Sequence, residues 1–147
     1  MEVIEVSQQP PIGDYALIGD TRSGALVSRA GAVDWLCVPR FDADPVFGRL
    51  VDLEHGGRFD LSVSGEVEAR SYRDESAVLE TLWRGPTGTA QVTDAMPVDV
   101  SGFRPQLALV RHVACTGGDV QVRTLFDPRF GLPGRLPRSS RRGDATV

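Results

Sequence analysis

The chain has 147 residues, a formal net charge of -4, an apolar fraction of 41% and a charged fraction of 24%, the profile of one ordinary globular domain able to bury about 70% of its unfolded surface. No apolar run reaches the ~20 residues of a membrane helix, and the opening MEVIEVSQQPP is acidic where a secretory signal is basic. Membrane insertion and export are therefore not expected, nucleic-acid binding is disfavoured by the missing basic face, and the expected location is the cytoplasm.

Tyr15 to Gly19, Gly24 to Ser28 and Ala32 to Val38 read as a meander of three strands joined by a polar turn and by Arg29-Ala30-Gly31. In the third strand Val33, Trp35 and Cys37 alternate with Asp34, Leu36 and Val38, so one face is expected to be apolar throughout. Pro39 closes that strand. Asp44 and Pro45 then have the chemistry of an N-cap and a first helical residue, which predicts one short helix from Pro45 to Val51.

Strands resume at Arg58 to Val63, Val67 to Tyr72, Ala77 to Arg84, Thr89 to Met96, Leu107 to Cys115 and Val120 to Phe126. The glycine-containing turns GPTG (Gly85 to Gly88) and TGGD (Thr116 to Asp119) have the spacing of hairpins. The expected fold is mainly β, an antiparallel sandwich with one short helix. The domain is expected over residues 12–130, after an N-terminal lead at 1–11. Arg129, Arg135, Arg138, Arg141 and Arg142 crowd the last part of the chain, and residues 131–147 read as an irregular, solvated, arginine-rich tail.

Chemistry is sparse. There is no lysine, so Gly19 to Gly24 is not a phosphate-binding loop and no Schiff base can form. Cys37 and Cys115 sit in apolar strand runs, where free cysteines behave as small buried hydrophobes, and their separation gives neither a disulfide framework nor metal spacing. His112 reads as a strand histidine with a hydrogen-bonded ring, and His55 as a loop residue with no nucleophile nearby. Glu66 and Glu68, two apart on a strand, would project to one side at about 6 to 7 Å, within reach of an inverting hydrolytic pair, but a solvent-facing strand edge accounts for them better. Asp42 and Asp44 supply too few oxygens for calcium. No catalytic residue, metal site or cofactor is predicted.

The loop WLCVPRFDADPVF is the one segment with binding chemistry. Trp35 and Phe41 offer ring faces for the C-H side of a sugar, and Arg40 with Asp42 offers forked polar groups for hydroxyls. The competing reading places Trp35 in the core and makes Arg40-Asp42 an ion pair that holds the loop.

The run IGDYALIGDTRSGALVSRAGAVDWLCVPRFDADPVFGRLVD resembles the opening of glycoside hydrolase family 15 proteins, the glucoamylase and trehalase-like enzymes, whose N-terminal part is a trehalase-like N-terminal domain. The likeness extends through VRTLFDPRFG. It implies a supersandwich-like β domain packed on an (α/α)6 barrel, and inverting hydrolysis of an α-glucosidic bond in trehalose or an α-glucan. In that family the two catalytic glutamates belong to the barrel, for which this chain has no matching segment. The resemblance therefore implies a non-catalytic domain, with an incomplete sandwich and a truncated end, whose partner is the barrel. Trp35, Pro39, Arg40, Phe41 and Asp42 match the motif that would face the cleft. Exposed sheet edges would favour self-association. The rival expectation is a stand-alone carbohydrate-binding or protein-interaction sandwich; hydrolysis by Glu66 and Glu68 alone ranks last.

Overall fold

The computed structural model describes residues 9–99, 101, 104–138, 141–142 and 145–146. A single turn of 3-10 helix (Ile12–Asp14) leads into β1 (Ala16–Gly19), β2 (Gly24–Val27), β3 (Ala32–Cys37), β4 (Pro45–Phe47) and β5 (Arg58–Val63). β6 (Glu66–Tyr72), β7 (Leu79–Arg84) and β8 (Gly88–Ala95) follow, then the two-residue strands β9 (Val98–Asp99) and β10 (Arg104–Pro105). β11 (Val110–Gly118), β12 (Val122–Asp127), β13 (Arg141–Arg142) and β14 (Ala145–Thr146) complete the described elements.

Two antiparallel sheets carry the fold. The first runs β1-β2-β3-β5-β12, with β4 also on β3; the second runs β11-β8-β7-β6. Their inner faces share one apolar layer. Ile18, Ala25, Val27, Val33, Leu36 and Phe47 of the first sheet meet Leu79 and Met96 from the second, and Leu61 and Val63 meet Trp83, Ala90 and Val92. Along β1, β2, β4, β5, β7 and β8 these positions alternate with less buried residues, the period of two that a half-buried strand requires. The sandwich and the β1-β2-β3 meander are as the sequence predicts.

Three expectations fail. The predicted helix from Pro45 to Val51 is absent: Pro45 and Phe47 pair with Cys37 and Leu36 of β3, and their other side is taken by Arg129 N-H donating to Val46 O at 2.8 Å and Gly131 N-H donating to Pro45 O at 3.0 Å. A helix there would strand the backbone groups of both neighbours. Gly48 then donates to Gly56 O at 2.6 Å, and the two backbones approach so closely that any Cβ on Gly56 would overlap the Gly48 carbonyl. Only Val51 and Asp52 N-H groups return to Gly48 O, at 3.0 and 3.1 Å, one isolated turn.

The second failure is the TGGD hairpin. β11 belongs to one sheet and β12 to the other, so Thr116–Asp119 ends a strand and carries the chain across the sandwich. Asp119 N-H donates to Thr87 O at 3.1 Å, and Ser64 N-H to Gln121 O at 2.9 Å, so the crossing chain leaves the β7-β8 turn and joins the end of β5. GPTG, by contrast, is the hairpin expected, joining β7 and β8.

The third concerns β3. Its register on β2 shifts between Leu26 and Val27, with Leu26 opposite Trp35 but Val27 opposite Val33. This bulge leaves Asp34 unpaired in the ladder and reverses the alternation beyond it, so Val33 and Leu36 both enter the core. Trp35 instead lies on the outer face, in line with Leu26 and Leu17 across three strands. The core reading of Trp35 is therefore corrected: it is half-buried, and Trp83 is the tryptophan inside. Cys37 is buried as expected, whereas Cys115 is exposed, because β11 is a sheet edge. His112 is also exposed, on the outer face of that edge. Among the arginines of the tail, Arg129 is fixed to Asp127 at 2.8 Å, and Arg135 exchanges backbone hydrogen bonds with Phe130.

Candidate functional site

The loop from Val38 to Asp44 is anchored at its base by the β1-β2 turn. Asp20, fully buried, accepts from the N-H groups of Arg22 at 3.0 Å and Ser23 at 2.7 Å through one oxygen, the side-chain closure that makes Asp a turn former. Arg22 O then accepts from Phe41 N-H at 3.0 Å, and the Ser23 hydroxyl donates to Cys37 O. Phe41 is thus held by its backbone while its ring stands 70% exposed.

Arg40 and Asp42 flank that ring. The guanidinium donates to the carboxylate in two prongs, Nε to Oδ1 at 2.8 Å and Nη2 to Oδ2 at 3.2 Å. The hydrogen bond from Arg40 holds the Asp42 carboxyl below its ordinary range, and the Arg40 guanidinium is raised by the same bond. Both side chains are more than half exposed, so the pair shapes the loop and contributes little to stability. Pro39 lines a small cavity with Asp20, Ser23, Leu36, Val38, Met96 and Leu107–Leu109.

Of the four predicted contact residues, the structure brings Arg40, Phe41 and Asp42 together at one exposed tip. Trp35 sits on the outer face of β3 beside Leu26, in the strand that precedes the loop. The tip can stack a ring and fork hydroxyls, but it holds no acid or base in a desolvated setting. Cys37 is no nucleophile either, since burial followed by the charges of Asp44 and Asp42 pushes its thiol up.

The other candidates are equally quiet. Glu66 and Glu68 are exposed on β6, where the register shifts between Val67 and Ala69, and Glu68 pairs with Arg84 at 2.9 Å. His55 lies 3.4 Å from Asp52 in an exposed turn, and Asp52 is held low chiefly by the His55 N-H. Among the described residues no three His, Cys, Asp or Glu side chains converge as a metal site, and no helix is long and apolar enough to cross a membrane.

Sequence reasoning missed a buried polar cluster at the middle of β3. Asp34, with no exposed surface, accepts from Tyr15 Oη at 2.7 Å and from Arg49 Nη1 at 3.4 Å. The only sequence signal was an Asp inside an apolar run, which marks either an error of assignment or a paired buried charge.

Fold and site together define a two-sheet antiparallel β-sandwich with one exposed aromatic-ionic loop. Residues 3–136 match the family described as trehalase-like, N-terminal, and the chain belongs to it. It is 34% identical over 143 residues to the trehalase of Mycobacterium tuberculosis and equally to that of Mycolicibacterium smegmatis, in each case covering 82% of this chain and 20% of the relative. A trehalase of Thermoplasma volcanium is 28% identical over 131 residues, covering 86% of this chain and 21% of the relative. The chain therefore spans about a fifth of the length of the curated relatives it matches. No solved structure matches it.

Proposed function

We propose that this chain is the non-catalytic N-terminal sandwich of a glycoside hydrolase family 15 enzyme that inverts the α-glucosidic bond of trehalose or an α-glucan in the cytoplasm. Its role is to support a catalytic (α/α)6 barrel formed by another part of the enzyme, with residues 12–130 as the supporting domain. The observation that carries this reading is the family match over nearly the whole chain to a fifth of each trehalase relative.

In this reading the tip of Arg40, Phe41 and Asp42 walls the substrate cleft, and Trp35 with Leu17 and Leu26 gives the outer face a surface for the barrel. The test compares the isolated chain with the whole enzyme. The isolated chain is expected to release no glucose from trehalose or maltooligosaccharides, and Phe41→Ala in the whole enzyme is expected to raise KM while leaving the melting temperature of the isolated chain unchanged. Robust turnover by the isolated chain, abolished by Glu66→Gln, would sink the proposal.

A second reading rests on the same tip. A ring 70% exposed beside a forked ion pair suits a stand-alone carbohydrate-binding module. Titration of the isolated chain with trehalose and maltooligosaccharides, with Phe41→Ala as control, separates the two: saturable binding lost in the variant favours the module.

A further inference from the structure

Two carboxyl oxygens are sealed from solvent with no hydrogen-bond partner among the described residues, Asp60 Oδ1 and Asp20 Oδ2. Their settings differ. The Asp60 side chain is 27% exposed and its other oxygen meets Arg58 at 2.9 Å, so that group sits at the surface beside a cation. Asp20 is 1% exposed. Its donors among the described residues, the N-H groups of Arg22 and Ser23, both go to Oδ1. Oδ2 needs a partner in either state of the carboxyl, a donor when ionised and an acceptor when protonated, and native interiors rarely leave such an atom unmatched.

Asp20 also lines a cavity of about 40 Å3, with Ser23, Leu36, Val38, Met96 and the chain at Leu107–Leu109. About 10 to 15 Å3 suffices for one water, so the cavity admits water and is far too small for a sugar ring.

The chemistry of the lining narrows the occupant further. Its polar side chains are Asp20 and Ser23, and the others are hydrocarbon or thioether. That is a poor match to calcium or magnesium, which take six or more oxygens, carboxylates prominent among them. The Ser23 hydroxyl gives its hydrogen to Cys37 O, which leaves its lone pairs free to accept. Ser23 N-H lies 2.7 Å from Asp20 Oδ1, so hydroxyl and carboxyl are neighbours on one turn, and a small molecule with two hydrogens can join them.

We propose that this cavity is a binding site for an ordered water that bridges Asp20 Oδ2 and the Ser23 hydroxyl. Two partners fall within the two to four that a buried water takes. The site also has a structural place. Arg22, on the same turn, accepts from Phe41 N-H at 3.0 Å through its carbonyl, and Pro39, at the start of the tip loop, lines the cavity itself. The water thus lies under the base of the Arg40-Phe41-Asp42 loop. By completing the bonding of Asp20 it steadies the turn to which that loop is tied.

Water-selective nuclear Overhauser spectra of the whole chain read the site at carbon-bound hydrogens, which do not exchange with solvent. The expected result is cross-peaks from water to the methyl groups of Val38, Met96 and Leu109, with the sign of a water that tumbles with the protein. Ala108→Val adds two methyl groups to the lining and should expel the water. The cross-peaks should then be lost, and the amide hydrogens of Ser23 and Phe41 should exchange faster. The melting temperature should fall, because Oδ2 is left dry and unmatched, whereas filling a dry cavity would raise it. Absence of the cross-peaks in the unaltered chain overturns the proposal whether or not the variant folds. So does their survival in Ala108→Val, which would trace them to the Ser23 hydroxyl, or a rise in its melting temperature.

Discussion

Arg111 of β11 and Asp94 of β8 form a two-pronged ion pair sealed between the sheets, Nε to Oδ1 at 2.7 Å and Nη2 to Oδ2 at 3.3 Å. Each side chain is 2% exposed. The guanidinium has two further tasks: it donates to Phe59 O and Gly31 O of the opposite sheet, each at 2.8 Å, and lies 5.0 Å from the centre of the Phe59 ring. One side chain thereby fastens β8 and β11 to the β2-β3 turn and β5, and every charge it buries has a partner.

Removing either half leaves the other charge buried alone, which costs about 3 to 5 kcal/mol. Arg111→Ala is therefore expected to lower the urea unfolding free energy by about that amount, with Asp94→Ala close behind. The double variant should lose much less than the sum, because the orphaned charge disappears with its partner. Equilibrium urea unfolding of the three variants checks this; additive losses would contradict it.

Gly31 presents its carbonyl to that guanidinium from a backbone with φ of +90°, a region costly to any residue with a Cβ. A Cβ there would also overlap the Leu61 carbonyl oxygen. Gly31→Ala is expected to destabilise by about 3 kcal/mol or more, as strain and clash add to displacement of the Arg111 bond. Gly13, with nothing within 4 Å of an added Cβ and no positive φ, is the control: Gly13→Ala should leave the melting temperature unchanged.

These two positions show what a sequence discloses and what it hides. The turn Arg29-Ala30-Gly31 and the strands it joins are legible because local spacing sets them. Arg111 is not, since LALVRHVAC reads as an apolar run with a charge in it, and its partners Asp94, Phe59 and Gly31 come from three distant segments. The error at Pro45 has the same origin: a proline after an aspartate suits a helix start and an extended edge equally, and the need of β3 and residues 129–131 for a partner decides between them. At the candidate site, Arg40, Phe41 and Asp42 are legible as one loop, while Trp35 is displaced by a bulge at Asp34 that no alternation pattern marks.

The Tyr15-Asp34 bond gives the stability a pH dependence in the alkaline range. Burial, then the hydrogen bond and charge of Asp34, raise the Tyr15 phenol well above its ordinary value. The unfolded phenol ionises above about pH 10 while the native one keeps its proton, so the native state binds more protons there and stability falls as pH rises. Below that range the contribution is fully present. Tyr15→Phe should lose about 1 to 2 kcal/mol near neutrality, from the missing bond to a buried carboxylate, and show a shallower alkaline decline. Urea midpoints measured from about pH 8 to pH 11 test both parts, and parallel curves for wild type and variant would refute the assignment.

Tyr72 makes the last prediction, because its hydroxyl satisfies both backbone groups of Leu17 that the β1 edge would otherwise offer to a neighbour. Tyr72→Phe leaves the ring in place and removes only that closure. Water can replace the bonds, since Leu17 and Tyr72 are 59% and 46% exposed, so the expected loss of stability is about 1 kcal/mol or less. The effect on association should be larger, because an unguarded strand edge offers its N-H and C=O groups to other chains. Sedimentation velocity should then show heavier species for Tyr72→Phe than for the unaltered chain, and a size distribution identical to wild type would show that Tyr72 does not guard this edge.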